Sequence, residues 1–326
     1  MSLVTPREAR LGGLRAENST ELEPYHRIVD SAMIMSLSIG TMIIWLKRRL
    51  SKSAWVILTT MGMPDLKSFD RVAHVYDDTR GMPPEVVRSV TAGLLAALRE
   101  VSAAPRLLEV GIGTGRIAVP LAAEGLRITG IDISSKMLAE LREKRRDIDV
   151  LFAEAALPPF REATFDAVLF VHILHLVPDA EATVRAALPL VRSGGMMIRG
   201  QEERPPGSLD ERLGDILQRT VRELCGIEME GRERHARGEA AFERVVREYG
   251  ARLERRRVAE WHRPMTVRQM QDGLARKDMS GAWQIPDAAM PELLDRLAPL
   301  VEAVFGGMDV EAPAARAFDL HIARLP

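Results

Sequence analysis

The sequence has 326 residues but contains only one cysteine, Cys225. A single thiol cannot form a disulfide within the chain, and no companion cysteine is present to share a metal ion. This composition is typical of the reducing cytoplasm. We therefore predict a cytoplasmic protein without a bound metal, in which Cys225 is a small buried hydrophobic residue.

The sequence also lacks an excess of either charge. Lysine and arginine together number 45 and aspartate and glutamate 46, and the C-terminal part mixes both signs. Proteins that bind nucleic acid usually concentrate basic residues on one surface. The balanced composition therefore argues against a nucleic-acid partner.

A hydrophobic run of membrane-spanning length is missing as well. Residues 31–46 form an uncharged run of 16 residues that includes three serines, a threonine and a glycine. A bilayer-spanning helix needs about 17–25 residues. Two interpretations are favoured over membrane contact: a helix packed on the following domain, or a segment upstream of a true start at Met61 or Met63.

The most informative segment is a short apolar stretch, residues 106–110, followed by Gly111, Gly113 and Gly115. The stretch has the composition of a buried strand, and residues 117–124 have that of a helix. Glycine has no Cβ, so the backbone can turn tightly here and lie against a ligand. Because a helix N-terminus with free N–H groups follows, the turn is predicted to bind a group with negative charge.

A second predicted strand, residues 126–131, leads into Asp132. It lies about 20 residues after Gly111, the spacing at which nucleotide-binding α/β units present a carboxylate to ribose hydroxyls. A nucleoside ligand is therefore predicted. Arg116 replaces the third glycine of the dinucleotide fingerprint, and no Gly-Lys-Ser/Thr sequence follows the turn, so NAD and ATP are both disfavoured.

Glu109, the three glycines and the strand ending in Asp132 resemble the cofactor site of class I S-adenosylmethionine-dependent methyltransferases. The resemblance covers residues 70–200 and is nearest to the small-molecule branch that includes the ubiquinone and menaquinone biosynthesis methyltransferases. Further segments match the family in the same order, at residues 154–155, 165–172, 173–179 and 193–199.

The resemblance implies an α/β fold with a doubly wound, seven-stranded, mostly parallel sheet and helical cap insertions. Residues 1–68 would form an N-terminal extension, partly apolar and either helical or disordered. Residues 69–200 would form the S-adenosylmethionine-binding core, and residues 201–326 the cap insertions plus the last two strands. In that last part, helices are predicted at 208–224, 239–249, 266–277 and 287–305, and an antiparallel strand pair at 252–261 and 316–325.

The expected cofactor is S-adenosyl-L-methionine. In the family, an acid and a backbone N–H at the positions of Glu154 and Ala155 hold the adenine, which Ile133 and Met137 would flank. Tyr76 and Arg80 would fold over the cofactor, with Arg80 near its methionine carboxylate. The remaining expected contacts are Glu109, Gly111, Ile112, Gly113, Gly115, Asp132 and Val171.

The resemblance also implies methyl transfer to an oxygen, nitrogen or carbon of a small, fairly apolar acceptor. The sulfonium is already a good leaving group, so the protein mainly positions the nucleophile. His172, at the end of the fourth predicted strand, is the candidate catalytic base, because doubly wound sheets place ligands at that edge. His175 is expected to have its imidazole satisfied inside the fold.

Several alternatives remain open from the sequence. Glu109, the glycines and Asp132 predict cofactor binding but not transfer, so a binding protein without methyl transfer is the main alternative. A nicotinamide dehydrogenase is disfavoured by Arg116. Residues 255–257, three consecutive arginines, are interpreted as a solvated strand surface, and Trp261 and Trp283 as core residues or the lining of an apolar pocket. The chain is expected to be a monomer or homodimer.

Overall fold

The structure is a computed structural model that describes residues 69–204, 209–229, 231–278, 280–312 and 314–326. Its strands are β1 Arg106–Val110, β2 Arg127–Asp132, β3 Asp149–Phe152, β4 Phe165–Val171, β5 Val191–Glu203, β6 Arg252–His262, β7 Met265–Thr266, β8 Glu311–Ala312 and β9 Ala315–Arg324. Its α-helices are α1 Tyr76–Arg80, α2 Pro84–Arg99, α3 Ala118–Ala123, α4 Ser135–Lys144, α5 Ala180–Ala187, α6 Leu209–Cys225, α7 Gly231–Glu248, α8 Val267–Ala275 and α9 Met290–Phe305.

Seven strands form one sheet in the order β3-β2-β1-β4-β5-β9-β6. The first five strands pair in parallel, whereas β9 is antiparallel to both β5 and β6. The chain order reverses between β1 and β4, which is where doubly wound sheets bind ligands. The predicted seven-stranded, mostly parallel fold is confirmed, including the antiparallel pair at one end.

The central strands are buried on both faces. Leu107 and Leu108 of β1 are both 0% exposed and belong to different hydrophobic clusters. Successive side chains of a strand point to opposite faces, so an unbroken apolar run requires cover on both sides. Residues of α2, α3 and α4 cover one face, and residues of α5 and α7 cover the other.

A third hydrophobic cluster lies within residues 201–326, where cap insertions are predicted from the sequence. It joins α6, α8 and α9 through Ile216, Leu274 and Leu293, and the half-buried Cys225 packs against it. The helix α7 differs from these three, because its Phe242 and Val245 pack in the cluster against the sheet. It begins at Gly231, earlier than the predicted residue 239. The sequence did not indicate its first two turns because they are rich in Arg and Glu and show no apolar face.

The three consecutive arginines of β6 are not simply solvated, which corrects the interpretation from sequence. Arg255 Nη2 lies 2.6 Å from Asp319 Oδ2, and Arg257 Nε lies 2.9 Å from Asp319 Oδ1. The side chain of Asp319 is 0% exposed, whereas those of Arg255 and Arg257 are 54% and 50% exposed. The two guanidinium groups therefore stabilise a buried carboxylate of the neighbouring strand β9.

Within the part of the chain that the structure describes, no helix combines the length and the apolar character needed to cross a bilayer. The uncharged run at residues 31–46 lies outside the described residues, as does the whole predicted N-terminal extension 1–68. The structure therefore does not test the predictions made for these two segments.

Replacing both Arg255 and Arg257 with methionine should lower the free energy of unfolding by at least about 2 kcal/mol, because Asp319 would remain charged and buried without a partner. Urea unfolding measures the change. As a matched control, Arg268→Met removes an ion pair with Asp309 in which both side chains are more than half exposed, and should change the free energy of unfolding much less than the double replacement does. Equal effects of the two changes would contradict this account.

Candidate functional site

The glycine turn after β1 has the left-handed backbone that glycine favours, with φ of +75° at Gly111, +55° at Gly113 and +79° at Gly115. A Cβ on Gly111 would lie 2.7 Å from the side chain of Ile173, and one on Gly115 would lie 2.9 Å from that of Val119. A Cβ on Gly113 would meet only the Met137 methyl at 3.9 Å. Gly111 and Gly115 are therefore required for internal packing, and Gly113 alone adjoins open space.

Asp132, at the end of β2, joins the glycine turn to the start of α4. Its Oδ2 accepts a hydrogen bond from Gly113 N at 2.9 Å, and its Oδ1 accepts one from Ser134 N at 2.8 Å. Burial raises the pKa of this carboxyl, and hydrogen bonds from the backbone N–H groups of Ser134, Gly113 and Ile133 partly offset that rise. A carboxylate oxygen has more than one acceptor position, so both oxygens can still accept a hydrogen bond from a ligand hydroxyl.

Glu109 lies one residue before the end of β1 and is only 2% exposed. Its Oε2 is buried and has no hydrogen-bond partner among the described residues. Burial raises the pKa of Glu109 to about 8, although Arg116 acts to lower it. An unpartnered buried carboxyl is costly, so this position is suited to a ligand that donates a hydrogen bond or carries a positive charge.

The short helix α1 is attached to the glycine turn by side-chain hydrogen bonds. Asp77 Oδ1 accepts from Thr114 Oγ1 at 2.7 Å and Asp77 also pairs with Lys144. In addition, Arg116 Nη1 donates to the carbonyl oxygen of Arg80 at 2.7 Å. The structure thus places α1, with Tyr76 and Arg80, beside the turn.

The side chains of Tyr76 and Arg80 already have protein partners. Tyr76 packs edge-on against Phe69 at 5.8 Å between ring centroids, and Arg80 Nη2 donates to the carbonyl oxygen of Asp278 at 3.2 Å. Burial lowers the pKa of the Arg80 guanidinium, with Tyr76 acting in the opposite direction. A role for Arg80 toward a ligand carboxylate remains a prediction.

The residues predicted to surround an adenine lie on the other side of Asp132. Ser134 caps α4 by accepting from Met137 N at 3.1 Å, which fixes the buried Met137 next to the half-buried Ile133. Ala153 N donates to the carbonyl oxygen of Asp132 at 3.0 Å and so brings the segment after β3 alongside. Glu154, in that segment, is half-buried, and burial raises its pKa.

Besides Glu109 and Met137, three more of the predicted contact residues have buried side chains. Ala155 is 8% exposed, Ile112 is 3% exposed and Val171 is 8% exposed. Ile112 and Val171 both belong to the hydrophobic cluster on the face that α2, α3 and α4 cover. Core packing explains why these two side chains are buried. Their contact with a cofactor remains a prediction.

His172 directly follows β4 and has a φ of +51°, a left-handed conformation that is uncommon for a residue other than glycine. The half-buried ring packs edge-on against Phe318 at 6.4 Å between centroids. Burial lowers the pKa of His172 well below its usual value, and the positive charge of Arg116 lowers it further. The imidazole is therefore neutral at pH 7.

A small cleft opens beside His172, lined by residues of β4, β5, α7 and the loop after β4. The half-buried His175 stacks on His235 in this cleft with 3.7 Å between ring centroids. We name this space the Arg199 cleft. Its lining residues are Phe170, His172, Ile173, Leu174, His175, Arg199, Gln201, His235 and Gly238.

Sequence analysis missed Arg199, Gln201 and His235 as functional candidates. The alternation of Arg199 and Gln201 directly after Met196–Ile198 was an available signal, because two polar residues two positions apart lie on the same face of a strand. His235 gave no comparable signal. It lies in the charged first part of α7, and only the fold brings it to His175.

Sequence analysis also missed a group of potential metal ligands. Glu239, Glu243 and His321 place ligand atoms within 4.8 Å of one another, so three side chains of the type that bind metals meet under α7. Arg199 Nη2 lies 3.6 Å from Glu239 Oε2 and supplies positive charge at the same place. An ion pair therefore accounts for part of this cluster.

Comparison with known proteins bears directly on this site. Residues 108–199 match the protein family described as a methyltransferase domain, and this range contains the glycine turn, Asp132 and His172. This part of the chain is therefore similar to a methyltransferase domain. The resemblance recognised in the sequence is confirmed.

Three curated relatives of the methyltransferase domain illustrate its similarity. The chain is 31% identical over 138 residues to a 27-O-demethylrifamycin SV methyltransferase of Amycolatopsis mediterranei, covering 40% of this chain and 51% of that protein. It is 33% identical over 156 residues to a demethylmenaquinone methyltransferase of Beutenbergia cavernae, covering 46% and 63%. It is 33% identical over 138 residues to a phosphatidylethanolamine N-methyltransferase of Cereibacter sphaeroides, covering 40% and 64%.

The chain spans between 51% and 64% of the length of these three relatives. The matched family range, residues 108–199, contains the glycine turn and ends before α6, α8 and α9.

Glu109→Gln should change how stability depends on pH in the protein without ligand. The pKa of Glu109 rises from 4.5 to about 8 on folding, so the folded state binds the proton more tightly, and stability is lost as pH rises through this range. We expect the free energy of unfolding of the unmodified protein to fall between pH 5 and pH 8.5 by an amount on the order of 3 kcal/mol more than that of the Gln variant. Urea unfolding across this range measures it.

The exposed Glu85, at the start of α2, provides the control. Glu85→Gln should leave the pH dependence of the original protein unchanged. If Glu109→Gln also leaves it unchanged, Glu109 is not buried as a protonated carboxyl.

Proposed function

We propose that the protein catalyses S-adenosylmethionine-dependent methyl transfer to a small-molecule acceptor. The observation that carries the proposal is the meeting of Glu109, Gly113 and Asp132 at the carboxyl edge of the sheet, next to the cleft that His172 lines. The match of this segment to a methyltransferase family supports it. A large acceptor such as nucleic acid is disfavoured by the balanced charge.

The chain's own residues fit S-adenosyl-L-methionine. Asp132 would accept from the ribose hydroxyls, and the unpartnered Oε2 of Glu109 would receive the ammonium group. Gly113 would allow close approach, since its missing side chain leaves space. Glu154 and the backbone N–H of Ala155 would hold the adenine. The bound cofactor supplies an activated methyl group on a sulfonium.

His172 would act on the acceptor. A neutral imidazole can accept a proton from a hydroxyl or other acidic group as that group becomes a nucleophile. Burial and the neighbouring Arg116 lower the pKa of His172, which favours the unprotonated form that a base requires. Its left-handed backbone, fixed by packing at the end of β4, would hold the ring in position at the cleft.

The finer assignments remain part of the proposal. The relatives are named for acceptors of different chemistry, so they support a small molecule without fixing which atom receives the methyl group. We retain residues 69–200 as the cofactor-binding core and 201–326 as cap plus final strands. A cytoplasmic monomer or homodimer is retained as well.

Asp132→Ala should weaken binding of S-adenosylhomocysteine by about 10- to 100-fold, because hydrogen bonds to a charged group are lost. Isothermal titration calorimetry measures the affinity. Asp147→Ala is the matched control, since that carboxylate pairs with Arg145 on the surface and should leave the affinity unchanged. Equal affinities of all three proteins would remove Asp132 from the site.

His172→Asn should lower the rate of methyl transfer by about 10²- to 10⁴-fold and leave the affinity for S-adenosylhomocysteine unchanged, since asparagine tolerates the left-handed backbone while lacking a base. Transfer of isotopic methyl from S-adenosylmethionine to a panel of phenols, amines and carboxylic acids measures the rate. The exposed His74, changed to asparagine, is the control.

The same assay separates catalysis from binding alone. Unchanged turnover in His172→Asn would dismiss its role as a base. If the unmodified protein binds S-adenosylhomocysteine but transfers no methyl group to any acceptor, the alternative of a binding protein without methyl transfer is favoured.

A further inference from the structure

Arg199 is a charged residue in an unusual place. It lies in the central strand β5, is only 4% exposed, and follows the fully buried Ile198. Its neighbours in register are Phe170 on β4 and His321 on β9. A guanidinium is costly to bury without full pairing, so its presence in the middle of the sheet calls for a specific partner.

The described residues pair with the Arg199 guanidinium only in part. Arg199 Nη2 lies 3.6 Å from Glu239 Oε2, which is beyond normal hydrogen-bond distance. Arg199 Nη1 is buried and has no hydrogen-bond partner among the described residues. Burial lowers the pKa of the guanidinium, and Glu239, Glu203 and Glu243 partly offset this. The guanidinium therefore keeps unused hydrogen-bond donors.

The Arg199 cleft offers these donors in a setting that suits an anion. No aspartate or glutamate is among its lining residues, whereas Gln201 and three histidines accompany Arg199. Gln201 lies two positions after Arg199 and therefore on the same face of β5. Phe170, Ile173 and Leu174 add an apolar wall, and His172 lies in the same lining.

The size and charge of the surroundings narrow the class of anion. The cleft is small and partly open to solvent, so it suits one group of a molecule rather than a whole drug-sized ligand. The carboxylates of Glu203, Glu239 and Glu243 lie near enough to influence Arg199 and would repel any anion, a dianion about twice as strongly as a monoanion. A monoanion is therefore favoured over a phosphate dianion.

We propose that the Arg199 cleft binds a carboxylate of the methyl acceptor, with Arg199 as its counter-ion, Gln201 as a second donor and Phe170 against its apolar body. This inference rests on the proposed function, because it names the class of acceptor. It makes Arg199 a residue that determines specificity: acceptors with a carboxylate bind, and neutral analogues of similar shape bind more weakly.

The test uses 4-fluorobenzoate and its neutral methyl ester, followed by ¹⁹F NMR titration of the full chain. The unmodified protein should bind 4-fluorobenzoate at least about tenfold more tightly than the ester, because a charge-assisted hydrogen bond is gained. Arg199→Met should remove the difference, and Arg199→Lys should retain part of it. Arg268→Met, on the surface, is the control and should behave like the unmodified protein.

The same samples are titrated with S-adenosylhomocysteine, so that the two proposals fail separately. Binding of S-adenosylhomocysteine without any preference for the carboxylate overturns the acceptor inference and leaves the proposed function. Preference for the carboxylate without binding of S-adenosylhomocysteine overturns the proposed function and leaves the anion site. Absence of binding by either fluorinated compound also overturns the inference.

A second variant keeps the test decisive if Arg199→Met fails to fold, which circular dichroism detects. Gln201→Leu has a similar volume, removes a donor of the same cleft and leaves the Arg199 charge in place. It should weaken 4-fluorobenzoate binding severalfold without changing the affinity for the ester. Unchanged binding of both compounds in Gln201→Leu and Arg199→Lys would contradict the assignment.

Discussion

The site depends above all on the carboxylate of Asp132. One of its oxygens holds Gly113 of the turn after β1, and the other holds Ser134 at the start of α4. The turn after β1, the end of β2 and the start of α4 are thereby fixed around one acceptor group at the carboxyl edge of the sheet. Because the hydrogen bonds come from backbone N–H groups, the arrangement is a property of the chain path rather than of neighbouring side chains.

The sequence was sufficient to predict the cofactor-binding part of the fold, because each residue pattern there directly indicates the structure that the residues form. The buried strand, the alternating glycines and the acid at the end of the next strand each have a direct physical reason, and the fold follows from them. The three glycines nevertheless differ in what they do. Gly111 and Gly115 are required by Ile173 and Val119, contacts that only the folded chain creates, whereas Gly113 is the one beside open space.

The rest of the site could not be predicted, because it depends on which distant residues the sheet brings into register. Arg199 on β5, Asp319 and His321 on β9 and Glu239 on α7 are far apart in sequence. The arginines of β6 were interpreted as solvated because sequence gives no indication of a buried carboxylate opposite them. Local patterns report burial and periodicity, but the pairing of buried charges is determined by topology.

A polar cluster thus lies beside the apolar contact between the sheet and α7, where further apolar residues would be the simpler way to build the fold. Its members stabilise one another only in part, and the Arg199 cleft opens beside it. The most direct test of the account is a crystal structure with S-adenosylhomocysteine bound. We predict the ribose hydroxyls on Asp132 and the amino group within hydrogen-bond distance of Glu109; a ribose held elsewhere, or an empty crevice at saturating ligand, would contradict it.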